Sequence, residues 1–231
     1  MKLELVFATL HWSGYQECVD SWSKDTPVEW SVRILANDVT KQSLLESYQT
    51  AFRESNADVL GYVHDDLVCL DPQWYPRVMK EFDDPRVGLV GFGGALGHGD
   101  PDMYHKPYEL PQLARRNFLS NMRQAEIHGM RFTGECDVAV LDGFSLFIRR
   151  EVLVKAGGWP VGTSVGYISY DYWACCITRE LGYKIRLVGV DCDHLGGKSS
   201  GLNPNLQLHW EEAHRYIYDR FQTVLPYRVT Q

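Results

Sequence analysis

The sequence predicts an α/β fold in which helices flank a mostly parallel central sheet. Within the first 95 of the 231 residues, short apolar runs alternate with segments that repeat apolar residues at helical spacing. Such alternation favours parallel strands joined by right-handed crossovers, because each helix packs back onto the sheet. The run Val59–Val63 is apolar throughout, which is typical of a strand covered on both faces.

The predicted elements follow one another along the chain. In the first half, strands are expected at residues 3–10, 30–36, 59–63 and 87–92, with helices at 41–53 and 74–82. Thr40 is the expected N-cap of the earlier helix, in which Leu45, Tyr48 and Phe52 form an apolar stripe. In the second half, strands are expected at 137–141, 144–148 and 184–190, with helices at 151–156, 170–181 and beyond Pro204.

Residues 95–135 interrupt this alternation with glycines, prolines and a basic end. A compact domain seldom carries so long an irregular stretch without a use for it, so a binding loop or lid is expected there. Its arginines are candidates to hold a phosphate or an acceptor: Arg115, Arg116 and Arg123.

Composition excludes several classes of function. The net charge of −7 argues against a general nucleic-acid or anionic-membrane surface. No apolar run approaches the roughly 20 residues that cross a bilayer, and residues 1–5 are too short and too acidic for a signal peptide. The six cysteines include no CxxC pair, so we expect small buried thiols in a reducing compartment. A cytoplasmic protein without a nucleic-acid partner or a transmembrane segment is predicted.

The strand Val59–Val63 ends abruptly on His64, Asp65 and Asp66. In open α/β sheets, ligands bind at the carboxyl ends of the strands. Two adjacent carboxylates repel each other unless water solvates them or a cation lies between them. The pattern therefore indicates either a cation site or a solvated turn.

Two further groups of polar residues are predicted near strand ends. Asp171 lies near a helix start, where the helix dipole favours its ionised form, although an ordinary N-cap would also explain it. His194 follows the last strand, and is either a cation ligand or a hydrogen-bonded loop histidine. Beyond it, the glycine- and serine-rich residues 196–201 include Lys198 and could close over phosphates.

Taken in order, these motifs resemble those of GT-A fold glycosyltransferases, and more narrowly the inverting, family-two-like enzymes. The resemblance covers roughly residues 3–200. The motifs are His64-Asp65-Asp66, LDGFSLFIRRE at 141–151, Gly157-Gly158-Trp159, Tyr170-Asp171-Tyr172-Trp173, RELGYKI at 179–185, and His194. The family carries a third carboxylate where this chain has His64, and acidic residues where it has Tyr170 and Trp173.

The resemblance implies one GT-A domain over residues 1–231. It would consist of a Rossmann-like nucleotide-sugar-binding half at 1–95, an acceptor-binding and catalytic half at 96–203, and a C-terminal helix at 204–231. The implied roles are catalytic base for Asp171, nucleotide contact for Asp38, His64 and Asp65, acceptor contact for Asp142 and Gly143, and metal ligand for Asp66 and His194.

The implied reaction is hexosyltransferase-like. A sugar would pass from a nucleotide-sugar, expected to be a nucleoside diphosphate sugar, to the hydroxyl of a carbohydrate or another acceptor, with Mn²⁺ or Mg²⁺ as cofactor. Two alternatives stay open. A nucleotidyltransferase acting on sugar phosphates would favour a basic glycine-rich loop after the first strand, which residues 9–15 lack. A catalytically inactive sugar- or nucleotide-binding module on the same fold would account for Tyr170 and Trp173.

Overall fold

A seven-stranded sheet forms the centre of the fold in this computed structural model, which describes residues 1–10, 13–24, 30–99, 118–124, 126–127, 129–166, 168–196 and 206–229. Its strands are β1 (Leu3–Thr9), β2 (Trp30–Ala36), β3 (Val59–Val63), β5 (Val87–Gly91), β12 (Glu135–Asp137), β14 (Ser145–Arg149) and β15 (Lys184–Val188). Their order across the sheet is β12, β15, β5, β14, β3, β1, β2.

Most of the strands in this sheet run in one direction. β1 pairs in parallel with β2 and β3, and β15 pairs in parallel with β5. β14 lies antiparallel between β3 and β5, and β12 lies antiparallel to β15 at one edge. Five of the seven strands therefore share a direction, which confirms the predicted mostly parallel α/β sheet.

The described helices flank this sheet. They are α1 (Tyr15–Ser21), α2 (Asn37–Thr40), α3 (Leu44–Glu54), α4 (Trp74–Glu81), α5 (Arg150–Ala156), α6 (Tyr170–Glu180) and α7 (Leu206–Arg220). Every residue of β3 and of β5 is buried, because both faces of the sheet are covered. Among the described residues, no helix combines the length and apolarity needed to cross a bilayer.

The start of α3 differs from its prediction. Ser43, and not Thr40, is the N-cap: its hydroxyl accepts from the Glu46 backbone N–H, while the Glu46 carboxylate accepts from the Ser43 backbone N–H. This reciprocal capping box satisfies two donors at the helix start. Lys41 adopts a left-handed conformation with φ of 59°, which ends α2 and separates it from α3.

Short strands also lie outside the central sheet, and five of those described fall wholly within residues 95–135, which were expected to be irregular. They are β4 (Leu67–Cys69), β6 (Gly93–Ala95), β7 (Gly97–His98), β8 (Phe118–Ser120), β9 (Met122–Gln124), β10 (Glu126–Ile127), β11 (Met130–Arg131), β13 (Val140–Leu141), β16 (Cys192–His194) and β17 (Tyr227–Arg228). The strand predicted at 137–141 is in fact divided, since β12 joins the central sheet whereas β13 pairs with β6. Residues 100–117 lie outside the described part of the chain.

Gly61 of β3 is a position at which the central sheet has no room for a side chain. A Cβ added there would lie 2.8 Å from the Phe147 ring and 2.9 Å from Leu5 Cδ2. We expect Gly61→Ala to lower the free energy of unfolding by about 1–3 kcal/mol through overpacking, measured by urea titration.

Gly166→Ala is the matched control for this substitution. Apart from its two chain neighbours, no described residue has an atom within 4 Å of a Cβ built at Gly166, so the change should stay within about 0.5 kcal/mol. An equally small effect at Gly61 would show that the sheet adjusts to an added methyl group.

Candidate active site

The pairing of β4 with β16 and two further backbone hydrogen bonds bring distant parts of the chain together at the carboxyl end of β3. β4 continues from β3 after a short turn and pairs antiparallel with β16, so that His194 lies opposite Leu67. The Leu195 backbone N–H donates to the Asp66 carbonyl oxygen at 2.9 Å, and the His64 N–H donates to that of Phe144 at 3.0 Å. Backbone hydrogen bonds therefore hold the polar turn at 64–66 against His194.

The side chains of His64, Asp66 and His194 converge at this point. His194 Nε2 lies 3.1 Å from Asp66 Oδ1 and 3.4 Å from His64 Nδ1, and His64 Nδ1 lies 3.8 Å from Asp66 Oδ1. The Asp66 side chain is only 11% exposed, whereas the His64 side chain is 34% exposed. The three donor atoms form a compact triangle that remains open on the His64 side.

This triangle fits a divalent cation. Adjacent donors around an ion with bonds of about 2.1 Å lie about 3 Å apart, close to the observed separations. Two imidazoles and one carboxylate suit Mn²⁺ or another transition-metal ion better than Mg²⁺, which prefers oxygen ligands. Among the described residues, His64, Asp66 and His194 form the group of three histidine, cysteine or acidic side chains that could hold an ion.

Burial and the contacts among His64, Asp66 and His194 shift the pKa values of all three side chains. Burial alone would raise the pKa of Asp66, but the hydrogen bond and charge of His194, with a contribution from His64, hold that pKa below its usual value. Burial would lower the pKa of His194, yet the contact with Asp66 raises it. The pKa of His64 is lowered, mainly by burial. Asp66 is therefore an ionised carboxylate at neutral pH.

Asp171 lies in the first turn of α6 and is not the N-cap, a position occupied by Ser169. Burial, followed by the negative charge of Asp142, raises the pKa of Asp171 to about 7. The backbone N–H groups of Tyr172, at 2.9 Å, and of Gly143 donate to its carboxylate and partly oppose this shift. The result is a carboxylate that can exchange a proton near neutral pH.

The turn formed by Asp142 and Gly143 lies against both Asp171 and Tyr170. Asp142 Oδ1 accepts from the Phe144 N–H at 3.3 Å, which holds the turn in place. The Tyr170 hydroxyl donates to the Gly143 carbonyl oxygen at 2.8 Å and lies 2.8 Å from His64 Nε2. From the sequence, Tyr170 is a departure from the family's acidic pattern and an aromatic residue expected mostly in the core, and its position beside Asp171 is the signal that could have placed it in the site.

The other predicted nucleotide contacts lie outside the triangle. Asp38 belongs to the short helix α2, which follows β2. Because β1 separates β2 from β3, the ends of those two strands are about 10 Å apart. Asp65 is half-buried, and its charge contributes, after burial and Asp66, to a Cys18 pKa raised to about 11. Both aspartates nevertheless lie at the same edge of the sheet as the triangle.

Arg123, one of the predicted lid arginines, has partners within the described structure. Its guanidinium donates to Asp193 at 2.7 Å and to Asp191 at 2.8 Å. These ion pairs connect β9 to the segment that carries His194. Arg115, Arg116 and the segment 197–201 with Lys198 lie outside the described residues.

Comparison with known proteins identifies a matching family. Residues 5–195 match the sequence model described as "Glycosyltransferase like family". The mannosyltransferase PcManGT from Pyrobaculum calidifontis, solved with GDP-Man and Mn²⁺, is structurally similar, with a TM-score of 0.54, 11% identity, and coverage of 96% of this chain and 73% of that one. GalNAc-T7, solved with UDP, GalNAc and Mn²⁺, gives a TM-score of 0.60, 13% identity, and coverage of 94% and 50%. At these identities the likeness shows the GT-A fold alone.

Short stretches also match curated proteins of another kind. A phosphate acyltransferase from Nitratidesulfovibrio vulgaris is 37% identical over 71 residues, which are 30% of this chain and 19% of that protein. One from Acidobacterium capsulatum is 33% identical over 72 residues, or 31% and 20%. The chain thus spans about a fifth of the length of these curated relatives, too little to show a family.

Proposed function

Because this chain belongs to the glycosyltransferase-like family and has the GT-A fold, we propose that it transfers a sugar from a nucleoside diphosphate sugar to an acceptor hydroxyl by a single, inverting displacement. The observation that carries this proposal is the convergence of His64, Asp66 and His194 at one sheet edge, with Asp171 nearby at a pKa of about 7. The two solved structures with Mn²⁺, one with GDP-Man and one with UDP and GalNAc, support the choice of donor class.

His64 Nδ1, Asp66 Oδ1 and His194 Nε2 would hold the cation, for which Mn²⁺ fits this donor set better than Mg²⁺. When bound, such a cation stabilises the negative charge that develops on a departing diphosphate. The family resemblance implied a nucleotide contact for His64, and we now propose it as the third ligand. Asp38 and Asp65 would contact the base and the ribose, since both lie at the carboxyl edge of the central sheet, after β2 and β3 respectively.

Asp171 would remove the proton from the acceptor hydroxyl as that oxygen attacks the anomeric carbon. A base works best when its pKa lies near the operating pH, and burial with the charge of Asp142 brings the pKa of Asp171 to about 7. Asp142 and Gly143 adjoin this carboxylate, which supports their proposed place beside the acceptor. The N–H donors from Tyr172 and Gly143 would keep the carboxylate oriented.

A thermal-shift experiment on the wild-type chain tests the donor site. We expect a panel of nucleoside diphosphates to raise the melting temperature only together with Mn²⁺. At a ligand concentration 100 times Kd, binding should raise the free energy of unfolding by about 2.7 kcal/mol. Mg²⁺ at equal concentration should act more weakly, because two of the three donors are imidazole nitrogens. The absence of a shift with every diphosphate would refute the donor site. A shift without sugar transfer or donor hydrolysis in a parallel activity assay would show that the protein is a catalytically inactive binding module.

A further inference from the structure

The Tyr170 hydroxyl lies between the cation triangle and the segment that holds the candidate base. We propose that Tyr170 is a positioning residue: its hydroxyl holds His64 as the tautomer that leaves Nδ1 free to bind the cation. This inference rests on the proposed cation site and assigns a function to a residue at which the chain departs from the family's acidic pattern.

The hydrogen-bond pattern requires this tautomer. A carbonyl oxygen can only accept, so the single hydroxyl proton of Tyr170 is donated to Gly143 at 2.8 Å, and the Tyr48 hydroxyl, which also bonds Tyr170, must act as a donor to it. The Tyr170 oxygen must then accept from His64 Nε2, which lies 2.8 Å away. A neutral imidazole with its proton on Nε2 has a lone pair on Nδ1, the atom that faces Asp66 and His194.

The hydroxyl is held rigidly enough to impose this choice. Tyr170 is 4% exposed, and its ring packs against Tyr48 and Trp159 with centroid separations of 5.7 and 6.3 Å. Gly143 lets the ring approach closely, because a Cβ there would lie 2.7 Å from Tyr170 Cζ. A phenol fixed by packing on both sides cannot follow His64 if the imidazole rotates.

The same arrangement connects the cation triangle to the base. The Gly143 carbonyl oxygen accepts from Tyr170, while the Gly143 N–H donates to the Asp171 carboxylate. Tyr170 and Asp171 are consecutive in the first turn of α6. One glycine and one helical turn therefore position both a cation ligand and the base, and a hydrogen bond to the far nitrogen of a ligating histidine is a recognised way to strengthen its binding.

Tyr170→Phe tests the proposal, because it removes the hydroxyl and keeps the ring. We expect the affinity for Mn²⁺, measured by electron paramagnetic resonance titration in the absence of nucleotide, to fall about 10- to 100-fold. Tyr62→Phe is the matched control: Tyr62 is equally buried and belongs to the same aromatic cluster, but its hydroxyl bonds the Tyr48 carbonyl oxygen at 3.3 Å. Its Mn²⁺ affinity should equal that of the wild type.

A double-mutant cycle separates positioning from general packing. In a His64→Ala background, the additional change Tyr170→Phe should not alter Mn²⁺ affinity, since Tyr170 acts through His64. Unchanged affinity in the single Tyr170→Phe variant, or an equal loss in both backgrounds, would overturn the proposal. A wild-type chain that binds no Mn²⁺ would instead overturn the cation site itself, and this inference with it.

A measurement on the wild-type chain avoids any dependence on how the variants fold. Two-bond ¹H–¹⁵N correlation spectra of the cation-free protein report which ring nitrogen of His64 carries the proton. We expect a proton on Nε2 and an unprotonated Nδ1. The opposite tautomer would overturn the proposal.

Discussion

Replacing Asp171 with Asn is expected to slow sugar transfer by about 10²- to 10⁴-fold, the contribution typical of a general base. Asn keeps the size of the side chain and one oxygen that can accept from the Tyr172 N–H, but it cannot take up a proton. Because Asp171 is absent from the cation triangle, Mn²⁺ and nucleotide binding should stay near wild-type values in the thermal-shift assay. Transfer at a near wild-type rate would show that Asp171 is not the base.

The pH dependence of kcat/KM provides a second readout of the same residue. With a pKa of about 7, Asp171 is ionised above that pH, so the rate should rise with pH and level off beyond it. Asp142→Asn removes a negative charge that contributes to the raised pKa, so the midpoint of the rise should move to lower pH. A midpoint that stays in place in Asp142→Asn would exclude Asp171 as the titrating group.

The Asp171 carboxyl should also influence stability. Its folded-state pKa is raised from 3.8 to about 7, so wild-type stability falls as pH rises through this interval. Asn does not ionise, and Asp171→Asn should therefore be the more stable protein at pH 8, by at most about 4 kcal/mol. The difference should become small near pH 3, below the unfolded-state pKa of 3.8, where the carboxyl is mostly protonated in both folded and unfolded chains, and calorimetric scans at the two pH values measure it.

Replacing Asp66 with Asn is expected to weaken Mn²⁺ binding by more than about 100-fold, because it removes the only carboxylate of the triangle. The stabilisation that Mn²⁺ and a nucleoside diphosphate give together should then disappear, and sugar transfer should be lost as well. Isothermal titration with Mn²⁺ alone measures the first effect, and thermal shift with a nucleoside diphosphate measures the second.

Asp65→Asn is the matched control for this substitution, since it removes the neighbouring carboxylate of the same turn. Asp65 is absent from the triangle, so its replacement should leave Mn²⁺ affinity unchanged. Equal losses in both variants would indicate a diffuse acidic surface in place of a defined site. Unchanged binding in Asp66→Asn would place the cation elsewhere.

The central sheet was largely predictable because its strands are encoded locally. β3 matches its predicted bounds, and β2 likewise, since each is a run of strand-forming residues bounded by turn residues. The antiparallel insertion of β14 was not predictable, because its run of apolar residues is compatible with either direction. The N-cap of α3 was misplaced by three residues, since Thr40 and Ser43 are both suitable caps and only the Glu46 carboxylate distinguishes them.

The candidate site was predictable as a set of residue types but not as an arrangement. The turn after β3 and the residue Asp171 stand out because carboxylates follow a strand and begin a helix. Tyr170 does not stand out in the sequence, because a tyrosine among apolar residues is usually part of a core. The function proposed for it depends on a hydrogen bond to a residue 106 positions away.

The sequence by itself determined the α/β class, the edge of the sheet where polar residues collect, and the resemblance to glycosyltransferases, because each depends on local patterns and their order. The tertiary structure alone decided that His64 joins Asp66 and His194, that the Asp171 pKa rises, and that Tyr170 links the two groups. Distances between side chains and the loss of water around them depend on how β4 and β16 pair and how α6 packs, and these contacts join residues that are more than 100 positions apart.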